Sequence, residues 1–175
     1  NEQVTLYYVV SLIGKTLVLL IAPINTIVIS YLTKRKERLT RSQFGKAVLA
    51  GGGVSLVFFV ACQIGTPLFV WLFYRNLYES VKGIVTVVNL AQILGLFSAF
   101  LFILVLTFTD ERWQLWIQLT HFCILLVSSV LAARTYGMMG FAVASLGANS
   151  LRVAAVVILG IVKAGKDKGD RNADR

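Results

Sequence analysis

Two cations stand where cations are costly. Lys15 and Arg152 each fall about ten residues inside a long apolar stretch. An ionised side chain at the centre of a membrane-spanning helix costs at least ~2.5–3.5 kcal/mol even on insertion scales. Ten helical residues cover ~15 Å, too far for an easy reach to the membrane surface. No Asp or Glu lies deep in any apolar stretch. The two cations therefore face a watery cavity, an acidic residue elsewhere, an anionic ligand, or backbone carbonyls that tie them down. Deep cations without deep acids suit holding an anion better than general acid–base work.

Other polar residues line up with them. At 100° per residue, Ser11, Lys15 and Asn25 share a narrow sector of one helix face. Gln114, Gln118, His121 and Ser128 do the same further on, and Ser145, Asn149 and Arg152 form a third stripe. Asn89 and Gln92 lie one turn apart, and Gln63 stands alone in its stretch. The candidate cavity residues are thus Lys15, Arg152, Asn25, Gln118, His121 and Asn149. The plainer reading of His121 is a hydrogen-bonding packing residue, and of Asn25, Asn89 and Asn149 interhelical hydrogen-bond partners. No metal-ligand spacing, nucleophile elbow, paired intramembrane carboxylates or phosphate loop is present, so no enzyme, metal or cofactor is expected. Cys62 and Cys123 read as small hydrophobes.

The elements that must position these residues are five apolar stretches, about 4–32, 47–74, 84–108, 113–133 and 138–162. Hydrophobic residues make up 57% of the chain and charged residues 14%, where a soluble domain runs near ~25% charged. Each stretch exceeds the ~20 residues a helix needs to cross a bilayer. Barrel strands are shorter and alternate in polarity, so the expected class is an all-α membrane protein with five transmembrane helices. Residues 1–163 read as one membrane helical domain and 164–175 as a disordered cytoplasmic tail. Pro23 is expected to kink the first span, and the segment after Pro67 to bend into the interface. Gly51, Gly52 and Gly53, and the spaced Gly140, Ala144 and Ala148, mark packing faces. Trp71, Tyr74, Tyr78, Trp113, Trp116 and Tyr136 fall near span ends, as an interfacial aromatic belt requires.

The net charge of +9 is unevenly spread. Lys34, Arg35, Lys36, Arg38, Arg41 and Lys46 crowd the first connector, and Lys163, Lys166, Lys168, Arg171 and Arg175 the tail. The second connector carries Arg75 and Lys82 with Glu79, and the last turn Arg134. The positive-inside rule puts the basic loop 34–46, the Asp110–Arg112 turn and the tail in the cytoplasm. The basic cluster reads as a topology signal in contact with anionic membrane lipids, not as a nucleic-acid site. The chain starts at Asn1 and its first span follows at once, which reads as a piece of a longer protein.

Three segments resemble a known family. Asn25–Lys34, with Tyr8 upstream, is similar to an "STVLFPRLSK"-like segment. Pro67 followed by Leu72, Phe73 and Tyr78 looks like a "P…LFG-x-x-Y" stretch. Tyr136–Ala144 looks like a "YGxxGxAxA" turn and helix. These are segments of the polysaccharide biosynthesis flippases, the lipid-linked-oligosaccharide transporters related to the multidrug and toxin extrusion exporters. The resemblance runs from about Leu6 to Val162. Ser30 stands where the family has Pro, Tyr74 where it has Gly, and Thr109–Arg112 where its connector is often basic.

The resemblance implies most of the C-terminal lobe of a transporter of about 12–14 helices, working by alternating access in the bacterial cytoplasmic membrane. It implies export of a lipid-linked oligosaccharide or polysaccharide precursor, with a missing N-terminal lobe as partner and no cofactor. Two other functions compete. A multidrug-type exporter would need acidic cavity residues. A membrane scaffold in glycan synthesis would need Lys15 and Arg152 to point at partner helices.

Overall fold

The computed structural model describes residues 2–34 and 39–164. The expectations for Arg35, Lys36, Arg38 and the tail after Ala164 lie outside the described residues. The described residues are almost entirely helical, with no strand among them. Helix α1 is Glu2–Lys34 and α2 is Arg41–Phe73. A 3₁₀ turn at Arg75–Leu77 and a single-turn helix, α3 (Tyr78–Val81), lead to α4 (Val85–Leu106). Helix α5 is Glu111–Lys163, interrupted at Gly137.

The break in α5 is a full reversal. Gly137 has φ 60° and ψ −142°, a region in which a Cβ clashes and only glycine is at ease. His121 and Asn149 are 28 residues apart yet their side chains meet at 3.2 Å, where a straight helix would separate them by ~42 Å. The arms, α5a (111–136) and α5b (138–163), are therefore an antiparallel hairpin. A Cβ on Gly140 would collide with the Ala132 carbonyl across the turn. The sequence expected this reversal over 134–137. Arg134 instead stays helical, because Gly137 alone absorbs the change of direction.

Two apolar clusters mark the two ends of an up–down bundle. At the end near Gly137, Leu6, Val9 and Val10 of α1 pack with Val70 of α2, Val81 of α3, Val85 and Val88 of α4 and Ala142 of α5b. At the opposite end, near Arg41, Phe44 of α2 packs with Leu101, Leu104, Val105 and Phe108 of α4 and its turn, and with Val156 of α5b. Rings lock both clusters edge to face: Tyr7 on Phe141 at 5.0 Å and Phe44 on Phe108 at 5.8 Å. The space for Phe44 exists because position 160 is glycine; a Cβ there would fall inside the ring. The chain order then puts Lys34, the Asp110 turn and Lys163 at one end, and the 74–84 connector and the Gly137 turn at the other.

Helix boundaries moved where capping outweighed apolarity. The second apolar stretch starts at residue 47, yet α2 begins at Arg41. Thr40 accepts a hydrogen bond from the Gln43 amide at 3.3 Å, and the Gln43 side chain accepts from Thr40 N–H at 3.1 Å. This reciprocal pair satisfies two orphan donors and carries the helix into polar sequence. Both prolines lie inside helices, and α2 stays helical past Pro67 to Phe73.

Among the described residues, three helices are long and apolar enough to cross a membrane: Arg41–Phe73, Val85–Leu106 and Arg112–Lys163. The last comprises two arms. Burial separates them: 44% of the most apolar window of α4 is buried, against 6% for α2 and α5. Helix α4 is thus the core, flanked by α1, α2 and α5. The rest present Leu56, Val57, Val60 and Ile64 on α2 and Leu115, Leu119, Phe122 and Leu126 on α5a, all exposed. An apolar surface of that extent is compatible with a membrane protein.

Candidate functional site

The residues that could do chemistry sit between the two apolar clusters, in two groups on opposite sides of α4.

The first group belongs to the α5 hairpin. Asn149 on α5b donates from Nδ2 to the Ala91 carbonyl of α4 at 2.9 Å. Gly95, one turn on, leaves room for that amide; a Cβ there would sit 3.3 Å from Nδ2. Because a carbonyl only accepts, this bond fixes the amide, and Oδ1 must face His121. His121 Nε2 lies 3.2 Å from Oδ1, so Nε2 carries the proton and Nδ1 is left as the second ring position. Arg152 follows Asn149 by one turn on α5b, on the same face of that helix. Its guanidinium lies over the Phe102 ring at 5.6 Å, and its buried Nε has no hydrogen-bond partner.

The remaining candidates do not join that group. Lys15 is exposed, with its ammonium 4.7 Å from the centre of the Tyr8 ring on its own helix. The stripe on α1 runs along the edge of the contact face. Ser11 is buried and bonds the Tyr8 carbonyl at 3.0 Å, while Lys15, 40° further round, points out. Gln118 is also exposed. Asn25 borders a separate apolar groove of about 270 Å³ between α1, α2 and α4, with Gly51, Phe58, Leu96 and Phe100, and its buried Oδ1 has no partner. Gln114 is 7% exposed and ties the Thr109 turn through a 3.1 Å bond. Ser128 bonds its own helix at the Ile124 carbonyl.

The second group was missed as a unit by sequence reasoning. Asn89 of α4 is 0% exposed. It donates to the Cys62 carbonyl at 3.1 Å and to Gln63 Oε1 at 3.0 Å, and accepts from Thr66 at 3.3 Å. Gln63 in turn donates to Thr86 Oγ1 at 2.9 Å. The polar residues were visible in the sequence as Gln63 and Asn89. Nothing in one strand of text could show that α2 and α4 bring them together.

Aromatic rings hold the terminal cations: Arg75 over Trp71 at 5.9 Å, Lys82 over Tyr78 at 5.7 Å and Lys163 over Trp113 at 5.8 Å. Trp71, Tyr74 and Tyr136 are exposed at one end, Trp113 and Trp116 at the other. Among the described residues, no cluster of three or more His, Cys, Asp or Glu could hold a metal. No family model, no curated protein and no solved structure matches the chain.

Proposed function

We propose that this chain is an integral membrane protein with five membrane-crossing helices, forming most of one lobe of a transporter for a lipid-linked oligosaccharide or polysaccharide precursor. The reading rests on the sequence resemblance, and the α5 hairpin gives it a place to act. The observation that carries it is Arg152. This cation lies mid-helix beside His121 and Asn149, and its Nε has no partner. A cation with an unpartnered nitrogen at that depth is a functional hypothesis by default. Its planar fork suits a pyrophosphate or an acidic sugar. His121 and Asn149 supply hydrogen bonds for glycan hydroxyls. Lys15, Gln118 and Asn25 line the same path only if α1 and α5a face a companion lobe. With the basic loop 34–46 and the tail on the cytoplasmic side of a bacterial inner membrane, substrate enters at the Arg41 end and leaves at the Gly137 end.

In a full-length transporter, Arg152→Ala should abolish glycan export while membrane insertion stays intact, and Lys15→Ala should impair it less. Unchanged export from both variants would sink the reading. One observation favours the scaffold alternative: Arg152 rests on Phe102 of a neighbouring helix. A structural cation of that kind predicts that Arg152→Ala lowers the amount of folded protein and any loss of export together.

A further inference from the structure

We infer that the outer face of the α2–α4 polar network is a binding site for a small oxyanion, a phosphate or carboxylate group, at the Gly137 end of the bundle. The site lies on the other side of α4 from Arg152 and does not depend on the transport reading.

A cavity of about 200 Å³ opens there, walled by Gln63 and Pro67 of α2, Tyr78 of α3, Lys82, and Thr86 of α4. Its chemistry follows from the hydrogen bonds behind it. The Cys62 carbonyl can only accept, so the Asn89 group against it is Nδ2. The Gln63 atom that meets the same Nδ2 is therefore Oε1. That orientation turns Gln63 Nε2 outward, where one N–H goes to Thr86 Oγ1. Each bond thus fixes the next. Thr86 accepts in this chain, so its own O–H remains to donate. Gln63 keeps a second N–H, the Lys82 ammonium brings three donors, and Tyr78 brings a hydroxyl.

One lone pair each of Gln63 Oε1 and Thr86 Oγ1 is already used, and the remaining capacity of the wall is weighted to donors, with the one full charge a cation. A group of acceptor oxygens is the complement. The positive charge comes from Lys82, with Arg75 on the same connector, and Glu79 is the one carboxylate there. The Lys82 ammonium is held over the Tyr78 ring at 5.7 Å, at the side of the cavity. Asn89, fully buried, acts as a positioning residue: it touches no ligand but sets which Gln63 atom faces out.

The oxyanion has two sources, a free anion or the headgroup phosphate of a membrane lipid. The full chain in neutral detergent is titrated with inorganic phosphate against sodium chloride of equal ionic strength, with Tm as the readout. The same chain in phosphatidylcholine nanodiscs is compared with and without phosphatidylglycerol. Stabilisation by phosphate assigns a free anion. Stabilisation by phosphatidylglycerol alone assigns a lipid headgroup. In either arm K82Q and T86V should each weaken the apparent affinity about tenfold, while R112Q, at the opposite end, leaves it unchanged. A reading free of variants comes from acylation of the Lys82 amine in the unaltered chain, which the bound anion should slow. No stabilisation by either probe, equal stabilisation of K82Q, T86V and R112Q, or unprotected Lys82 overturns the assignment.

Discussion

The two polar groups beside α4 differ in completeness. On the α2 side, Asn89 is sealed, and its amide meets Cys62, Gln63 and Thr66 with every bond made. On the α5 side, Asn149 and His121 pair, yet both are only partly buried and Arg152 Nε beside them is unpartnered. Polar groups in a low-dielectric interior are costly when unpaired and contribute when fully bonded. A closed network therefore fixes helix register, and an open one keeps capacity for something else. Helix α4 thus carries a sealed amide, Asn89, on its α2 side, where free donors remain only on the outer face of the network at Gln63 and Thr86, and a cluster open at Arg152 itself on its α5 side.

That contrast can be broken by substitution. The largest effect belongs to Asn89→Leu. It strands the Gln63 and Thr66 side chains together, and should cost about 2–3 kcal/mol in unfolding followed thermally in detergent. Asn149→Leu removes one bond to the Ala91 carbonyl, which already accepts within its helix, and frees a half-buried His121. A cost of about 1 kcal/mol is expected by the same measurement. Arg152→Met keeps the length and apolar contact with Phe102 while deleting the unpartnered nitrogen, so stability should stay within about 0.5 kcal/mol or rise. If Arg152→Met destabilises the chain as much as Asn89→Leu, the two sides are not different in kind.

Much of the fold was legible. The apolar stretches name the helices because a run of that length has few other ways to satisfy its backbone. The reversal after the fourth stretch was marked by Tyr136-Gly137. The packing role of Gly140 and Ala148 also held, with Ala148 3% exposed and Gly140 pressed on Ala132. The early start of α2 was encoded too, in Thr40-x-x-Gln43, but an apolarity scan passes over a capping box. The site was less legible. Helical periodicity groups residues on one face yet cannot say which face meets a neighbour, so Ser11 and Lys15 were read together and the structure parts them.

The sequence by itself determined the helices, a reversal of the chain over 134–137, and the placing of basic and aromatic residues at their ends. These follow from local terms: run length, capping, and the absence of a Cβ at Gly137. Only the tertiary structure decided that Asn89 reaches Gln63, that Asn149 reaches Ala91 and His121, and that Lys15 turns outward while Arg152 stays half-buried. Such pairings depend on the rotation of each helix about its axis. That rotation is set by close contacts, Phe44 against Gly160 and the Asn149 amide beside Gly95, between residues far apart in the chain.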